Sequence, residues 1–241
     1  MEERPPGSAQ FGEVPPPPPT FGDPPPPPDP PAGPAPIPWE QPGVDIFRAF
    51  FQTIRLLLSS PRKAFERVPV TSGIGRPFAF GLIVSLLAVW GDTFWQLVLG
   101  DWWKSMIPSE PDRFDFSTAS QVAFGLAAPL WVPVLILISA ALQHLFLFLV
   151  GGAQGGFSAT LRALSYSWAP HMFALVPVCG QFVGLVWGVV LSVIGLSVLH
   201  RISLGRAALA VFLPLVLCCG CAALAIALFG AAIFSALGAR G

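Results

Sequence analysis

The sequence predicts an all-α, polytopic membrane helical bundle of about five transmembrane helices, preceded by a disordered, proline-rich N-terminal arm. Hydrophobic residues make up 54% of the 241 residues, and charged residues only 11%. All thirteen acidic residues lie at or before Asp115, so the C-terminal half carries no carboxylate side chain. Several apolar segments there are long enough to cross a bilayer. Such a chain lacks the polar surface that a soluble globule of this size needs.

The first predicted unit is a proline-rich arm at residues 1–42, which contain eighteen of the twenty-eight prolines. Proline fixes φ and has no amide hydrogen, so the arm is expected to sample polyproline II rather than a helix or a sheet. Its pentaproline runs would suit an aromatic-lined groove of a protein partner, although a solvated spacer is the simpler interpretation. The arm has no apolar stretch typical of a cleavable signal, so we expect the first span to direct membrane insertion.

Residues 43–76 predict amphipathic helices at the membrane interface. Between residues 44 and 60, apolar side chains recur at helical spacing, with Arg48, Gln52, Arg55 and Ser59 opposite them. The apolar face comprises Phe47, Phe50, Phe51, Ile54, Leu57 and Leu58. Ser60 and Pro61 are typical of an N-cap and first helical position, which predicts a second, short helix. We expect both helices to lie on lipid, the alternative being helices packed on protein.

Residues 77–237 predict the five-span membrane domain. A span needs about 20 apolar residues. The five segments that meet this requirement are residues 77–99, 120–150, 158–179, 181–199 and 207–237.

The segment at residues 158–179 is the hardest to assign, because it contains Arg162, Pro170 and Pro177. A loop there would leave backbone polar groups unsatisfied in lipid. We therefore predict a helix that starts near Ser158, has Arg162 at the water boundary and is kinked at both prolines. The alternative is a re-entrant segment, which would leave four full spans.

The distribution of basic residues predicts the orientation. With five spans and a cytoplasmic N-terminus, ten Lys and Arg residues fall on the cytoplasmic side and three on the opposite side. This bias agrees with the positive-inside rule, and it places the C-terminus across the membrane.

Small residues at four-residue spacing predict a helix-packing face in the fourth span. They are Gly180, Gly184, Gly188 and Ser192. Packing within the chain is the preferred interpretation, and packing against a second copy is the alternative.

Polar residues inside the spans are Asp92, His144 and His171, with His200 at a span border. Intramembrane ionisable groups are functional candidates by default. His171 lies roughly 10 Å deeper than the other two histidines at ~1.5 Å per residue, so one metal ion would not reach all three. We expect the histidines to be satisfied by hydroxyl or carbonyl groups, and Asp92 to sit near the outer interface.

No catalytic, cofactor or metal site is predicted. The chain has no GxSxG, HExxH or P-loop pattern, and its net charge of zero argues against a nucleic-acid partner. We expect a non-enzymatic protein whose partners are membrane lipids, with a possible protein partner for the proline-rich arm. A small-solute transporter or channel is the alternative, and an intramembrane metalloenzyme based on the three histidines is a third hypothesis.

The chain resembles the Yip1 domain family of multi-span membrane proteins. The resemblance is carried by SPRKAF before the first span, YSWAPHMFALVPVCG in the third, and GLSVLHRISLGRAALAVFLP between the fourth and fifth. The positions that match recurrent family positions are Tyr166, Pro170, Pro177, Gly195, Leu196, His200, Arg206, Ala207 and Pro214.

The resemblance implies five spans and a cytoplasmic N-terminal region. Eukaryotic members are linked to Rab-type GTPases, but this chain lacks their DLYGPFW-like motif. It looks like a bacterial Yip1-type protein of the inner membrane, and GTPase binding is not assumed.

Overall fold

The computed structural model describes residues 35–70, 72–106, 117–177 and 179–238, and all regular structure in these ranges is helical. The proline runs at residues 1–34, most of the polar loop after the first span, and Arg240 lie outside the described residues.

The helices begin with two short amphipathic ones, α1 (Ile46–Ser59) and α2 (Pro61–Glu66). The longer elements are α3 (Gly75–Met106), α4 (Thr118–Leu126), α5 (Ala128–Leu149), α6 (Gly156–Ser167), α7 (Cys179–His200) and α8 (Leu204–Gly238). Two 3-10 helices, Pro38–Glu40 and Ala169–Leu175, complete the set.

Four of these helices are long and apolar enough to cross a membrane: α3, α5, α7 and α8. The predicted first, fourth and fifth spans correspond to α3, α7 and α8. The predicted second span is divided at Ala127 into α4 and α5. Pro129, the second residue of α5, has no amide hydrogen, so α4 cannot continue through it with regular hydrogen bonding.

The predicted third span is not one kinked helix, and this part of the prediction was wrong. α6 starts at Gly156, ends at Ser167, and is followed by the 3-10 helix Ala169–Leu175. Pro170 lies in the first turn of that 3-10 helix, where its missing amide donor removes a bond that a continuous α-helix would need. A 3-10 helix rises about 2.0 Å per residue, compared with about 1.5 Å in an α-helix, so this segment covers more distance per residue.

α6 and the 3-10 helix Ala169–Leu175 together run antiparallel to α7 along its whole length. Gly155 donates its amide to His200 at one end, and the Phe173 carbonyl contacts Gly180 at the other. Their combined rise is about 32 Å, close to the roughly 33 Å of α7. The chain therefore traverses the bundle here a fifth time, in a composite segment. We call the two ends of the bundle the His200 end and the Leu175 end.

α3 lies parallel to this composite segment, since Gly81 contacts Ser165 and Gly91 contacts Leu175. α5 packs on α6, with Val132, Ile136 and Ala140 buried against Leu161 and Leu164. α6 is the central helix of the bundle, because every side chain from Ala159 to Ser167 is buried.

The predicted apolar face of α1 is partly buried against the bundle and partly exposed. Phe50, Ile54 and Leu57 are buried in the bundle core, whereas Phe47 and Phe51 are 72% and 59% exposed. α2 docks through Phe65, whose ring contacts Gly195 of α7. The side chain of Asp45 caps α1 by accepting a hydrogen bond from the Arg48 amide, but Ser60 makes no side-chain capping bond to α2.

Candidate functional site

The side chain of Arg162 is fully buried in α6, at the His200 end of the bundle. It forms an ion pair with Glu40 at 3.4 Å, and the two side chains are 0% and 3% exposed. The guanidinium also donates to the Ser72 hydroxyl at 3.2 Å, to the backbone carbonyls of Ser72 and Gly73, and to the Ser158 hydroxyl at 3.4 Å. The prediction that Arg162 lies at the water boundary concerns its depth in the membrane; the structure shows that protein encloses its side chain. Its charge is compensated by segments that precede the first span.

Glu40 belongs to residues 1–42, which the sequence predicts to be a disordered arm, and for the segment around Glu40 that prediction is wrong. It lies in the 3-10 helix Pro38–Glu40, and its carboxylate accepts hydrogen bonds from the Tyr166 hydroxyl at 2.7 Å and the Ser72 hydroxyl at 2.9 Å. Tyr166 is the only tyrosine in the chain. The resulting group, which we call the Glu40 cluster, comprises Glu40, Ser72, Arg162 and Tyr166.

Trp39 fixes Glu40 in place. Its indole donates to the Arg76 carbonyl at 2.6 Å, and its backbone amide donates to the Thr53 hydroxyl at 2.9 Å. Its ring packs on Phe50 and Phe80 at centroid distances of 5.9 and 5.8 Å, and Phe80 in turn packs on Tyr166 at 5.1 Å. The cue in the sequence was Ile37 and Trp39, two large apolar residues in an otherwise proline-rich segment.

Two of the three histidines meet at the His200 end of the bundle. His144 and His200 each hydrogen-bond the Thr160 hydroxyl, at 2.8 and 3.0 Å, and their ring centroids are 6.2 Å apart. The second ring nitrogen of His200 accepts from the Gly155 amide at 3.0 Å. Because a neutral imidazole has one donor and one acceptor nitrogen, His200 must donate its Nε2 hydrogen to Thr160.

His171 lies apart from this pair, in the 3-10 helix Ala169–Leu175. Its Nδ1 is 3.1 Å from the Trp168 carbonyl, and its ring is 5.7 Å from the Trp168 ring. Within the described ranges, no three His, Cys, Asp or Glu side chains are grouped closely enough to hold a metal ion. The geometry therefore gives the metalloenzyme hypothesis no site among these residues.

Asp92 lies towards the Leu175 end and is half-buried. Its carboxylate accepts hydrogen bonds from Gln96 of the same helix at 2.6 Å and from Gln181 of α7 at 3.0 Å. It lines a cavity of about 210 Å³ between α3, α5, α7 and the 3-10 helix Ala169–Leu175.

The small-residue face of α7 packs against the composite segment of the same chain. A Cβ at Gly184 would lie 3.0 Å from the Pro170 carbonyl oxygen, and one at Gly188 would lie 3.2 Å from the His171 ring. Ser192 continues the face and bonds the Gly188 carbonyl at 2.9 Å. These glycines therefore let a 3-10 helix approach the backbone of α7 closely.

The other residues that match recurrent positions of the resembled family lie in different parts of the bundle. Leu196 and Ala207 are fully buried, Gly195 contacts Phe65, and Pro214 lies inside α8. Pro177 lies in the turn before α7, and Arg206 is exposed next to Ser203, whose hydroxyl accepts from its amide. Only Tyr166 and His200 of this set enter the polar groups described above.

Comparison with curated proteins found no match, and comparison with solved structures found none either. The sequence matches the family described as Yip1 domain over residues 55–237, which includes α3 to α7 and nearly all of α8. With most of its length covered by this match and its membrane-spanning helices in a single bundle, the chain belongs to the Yip1 domain family.

Proposed function

We propose that the protein is a non-enzymatic membrane organiser, in which α1 arranges anionic lipid in the cytoplasmic leaflet of a bacterial inner membrane. The observation that carries the proposal is the divided face of α1. One stripe is anchored in the bundle through Phe50, Ile54 and Leu57, and a neighbouring stripe leaves Phe47 and Phe51 exposed.

The charges beside this stripe support a lipid role. Arg48 and Arg55 on α1, and Arg62 and Lys63 on α2, are all exposed at the side of the bundle that carries most of the basic residues. Exposed aromatic side chains next to basic ones are typical of helices that lie in the headgroup region of anionic bilayers. The orientation with these residues in the cytoplasm follows from the positive-inside rule.

The polar groups inside the bundle support a structural rather than a catalytic role. In the Glu40 cluster and at the His144–His200 pair, side chains are bonded to one another or to the backbone. His200 lines a cavity of about 550 Å³, but neither group places a free nucleophile beside a base, which is the usual arrangement of an active site. The proline runs of the N-terminal arm are proposed to bind a soluble protein partner, because such runs suit aromatic-lined grooves.

The lipid role is tested with the full chain in vesicles that contain equal amounts of phosphatidylglycerol and phosphatidylcholine. Förster transfer from the protein to labelled phosphatidylglycerol reports anionic-lipid enrichment. The double variant Arg48→Gln/Arg55→Gln is expected to lower that enrichment, because each basic residue near an anionic surface contributes about 1 kcal/mol. Phe47→Ser/Phe51→Ser is expected to reduce penetration of α1, measured by quenching with brominated lipid.

Arg206→Gln is the control, because Arg206 is exposed in the first turn of α8 at the same end of the bundle. It should leave the enrichment near that of the parent protein. An equal loss in the control and in the α1 double variant would assign the effect to overall charge and remove the special role of α1.

A further inference from the structure

The cavity beside Asp92 has chemistry that neither the family match nor the proposed function explains. Its volume of about 210 Å³ is below the ~300–1,000 Å³ of pockets for drug-sized ligands, so it suits a small group. The lining residues that carry polar or aromatic groups are Ser85, Asp92, Trp131, Trp168, His171 and Gln181.

The Asp92 side of the cavity lies towards the Leu175 end of the bundle, away from the basic surface of α1 and α2. Gly91, one residue before Asp92, contacts Leu175, and Trp95 donates its indole hydrogen to the Leu175 carbonyl at 3.0 Å. Trp90 likewise donates to the Gly125 carbonyl at 2.9 Å. Tryptophans are enriched at the headgroup level of bilayers, so Trp90 and Trp95 indicate that the Asp92 side of the cavity opens towards that level.

Asp92 has two neutral hydrogen-bond donors and no cationic partner. Gln96 and Gln181 supply one amide each to its two carboxylate oxygens. Across the described ranges no Lys, Arg or His side chain forms an ion pair with it. A carboxylate at membrane depth is costly unless a positive group pairs with it.

Two tryptophans line the cavity with Asp92. Trp131 is held by its hydrogen bond to the Phe124 carbonyl at 3.2 Å and by stacking on the Phe124 ring at 4.6 Å. Indole faces attract cations, and aromatic side chains around a charged amine are a recurrent recognition arrangement. A carboxylate beside two indoles therefore favours a ligand with a positively charged nitrogen over an anion or a neutral sugar.

We propose that this cavity binds a small ammonium group, with the nitrogen paired to the Asp92 carboxylate and in contact with the indoles of Trp131 and Trp168. The amine of a lipid headgroup and a soluble amine share this chemistry. The proposal does not depend on the lipid role of α1, which concerns anionic lipid at the other end of the bundle.

The test uses the full chain in nanodiscs of equal phosphatidylethanolamine and phosphatidylglycerol, with retained lipids counted by native mass spectrometry after mild delipidation. Because α1 is proposed to hold phosphatidylglycerol in every variant, the readout is the ratio of retained phosphatidylethanolamine to phosphatidylglycerol. The parent protein is expected to show a preference for phosphatidylethanolamine in this ratio relative to a variant that lacks the site. Asp92→Asn preserves shape and should reduce that preference roughly tenfold, since bonds to charged groups are among the stronger hydrogen bonds. Glu66→Gln is the charge-matched control, because Glu66 is exposed at the His200 end, and it should leave the preference unchanged.

A second arm titrates ethanolamine, with glycerol as its neutral counterpart, into detergent-solubilised protein and follows saturation-transfer NMR. Binding of ethanolamine that Asp92→Asn abolishes would support the site with a soluble source, and retention of the lipid alone would support a headgroup source. Trp131→Leu provides a second variant if Asp92→Asn misfolds, and it should also weaken binding. The proposal is overturned if the parent protein prefers neither amine, or if Asp92→Asn or Trp131→Leu, when folded, binds amines as the parent does.

Discussion

At the scale of single residues, the Glu40–Arg162 pair is the most consequential contact. It joins a residue that precedes the first span to the central helix of the bundle, and both side chains are almost completely buried. Removing one member of a buried pair leaves the other charge uncompensated, which costs about 3–5 kcal/mol.

We therefore expect Arg162→Ala to destabilise the protein by about 3–5 kcal/mol, because it leaves the buried Glu40 carboxylate without its cationic partner. The matched control is Arg62→Ala, which breaks the Arg62–Glu66 pair, whose side chains are 73% and 50% exposed. Exposed pairs contribute about 0–1 kcal/mol. Reversible unfolding of the detergent-solubilised protein in SDS measures both, and equal losses would contradict the structural role of the buried pair.

A double variant separates charge from packing at the same contact. Glu40→Gln/Arg162→Met removes both charges and keeps much of the volume, so it should be less destabilising than Arg162→Ala alone. A double variant as unstable as Arg162→Ala would show that packing of the arginine stem, rather than its charge, dominates.

The Thr160 hydroxyl is the second residue-scale feature, because it links His144 to His200. Thr160→Val keeps the shape and removes the hydroxyl, so two imidazole nitrogens lose their partner. We expect a loss of about 1–3 kcal/mol in the free energy of unfolding, the usual cost of an unsatisfied buried polar group.

Thr160→Ser is the control for that variant, because it retains the hydroxyl. Its stability should lie closer to the parent than that of Thr160→Val. If the two variants unfold alike, the hydroxyl bridge does not stabilise the bundle.

At the scale of elements, the packing of α7 on the composite segment depends on small side chains. Gly184→Ala would place a methyl group 3.0 Å from the Pro170 carbonyl oxygen, which belongs to the backbone and cannot rotate away. Overpacking of this kind typically costs about 1–3 kcal/mol.

Gly220→Ala on α8 is its matched control, since a Cβ there meets no atom within 4 Å. This change should be neutral or stabilise the helix by up to about 1 kcal/mol, because alanine has the higher helix propensity. Unfolding in SDS again measures both. Destabilisation by Gly220→Ala of the same size as by Gly184→Ala would indicate a general effect of alanine and no close approach at Gly184.

At the scale of the whole molecule, the expected sidedness of the two chain ends depends on the composite segment. Four long helices alone would return the C-terminus to the side of the N-terminus, but α6 and the 3-10 helix Ala169–Leu175 add a fifth traverse. We therefore expect the two ends of the chain to lie on opposite sides of the membrane.

Fusions at each end test this expectation in bacterial cells. A fluorescent protein that folds only in the cytoplasm should be active at the N-terminus, and alkaline phosphatase, which needs the oxidising side, should be active at the C-terminus. Exchanging the two reporters is the control and should silence both. Activity of the same reporter at both ends would contradict a fifth crossing.

The sequence by itself determined the membrane class, the family resemblance and the positions of the long helices. It could do so because lipid offers no hydrogen-bond partners, so long apolar segments must satisfy their backbones as helices. The start of the short helix α2 at Pro61 was equally predictable, since the preference of proline for the first turn is local.

Only the tertiary structure decided how the polar residues are paired. Glu40 and Arg162 are separated by 122 positions in sequence, and His144 and His200 meet through a hydroxyl on a third segment. Local patterns set whether a residue favours a helix or a turn, but they carry no information about which distant charge will meet it. For that reason the sequence predicted Arg162 at the water boundary and Glu40 in a disordered arm, whereas the folded chain buries both side chains as one ion pair.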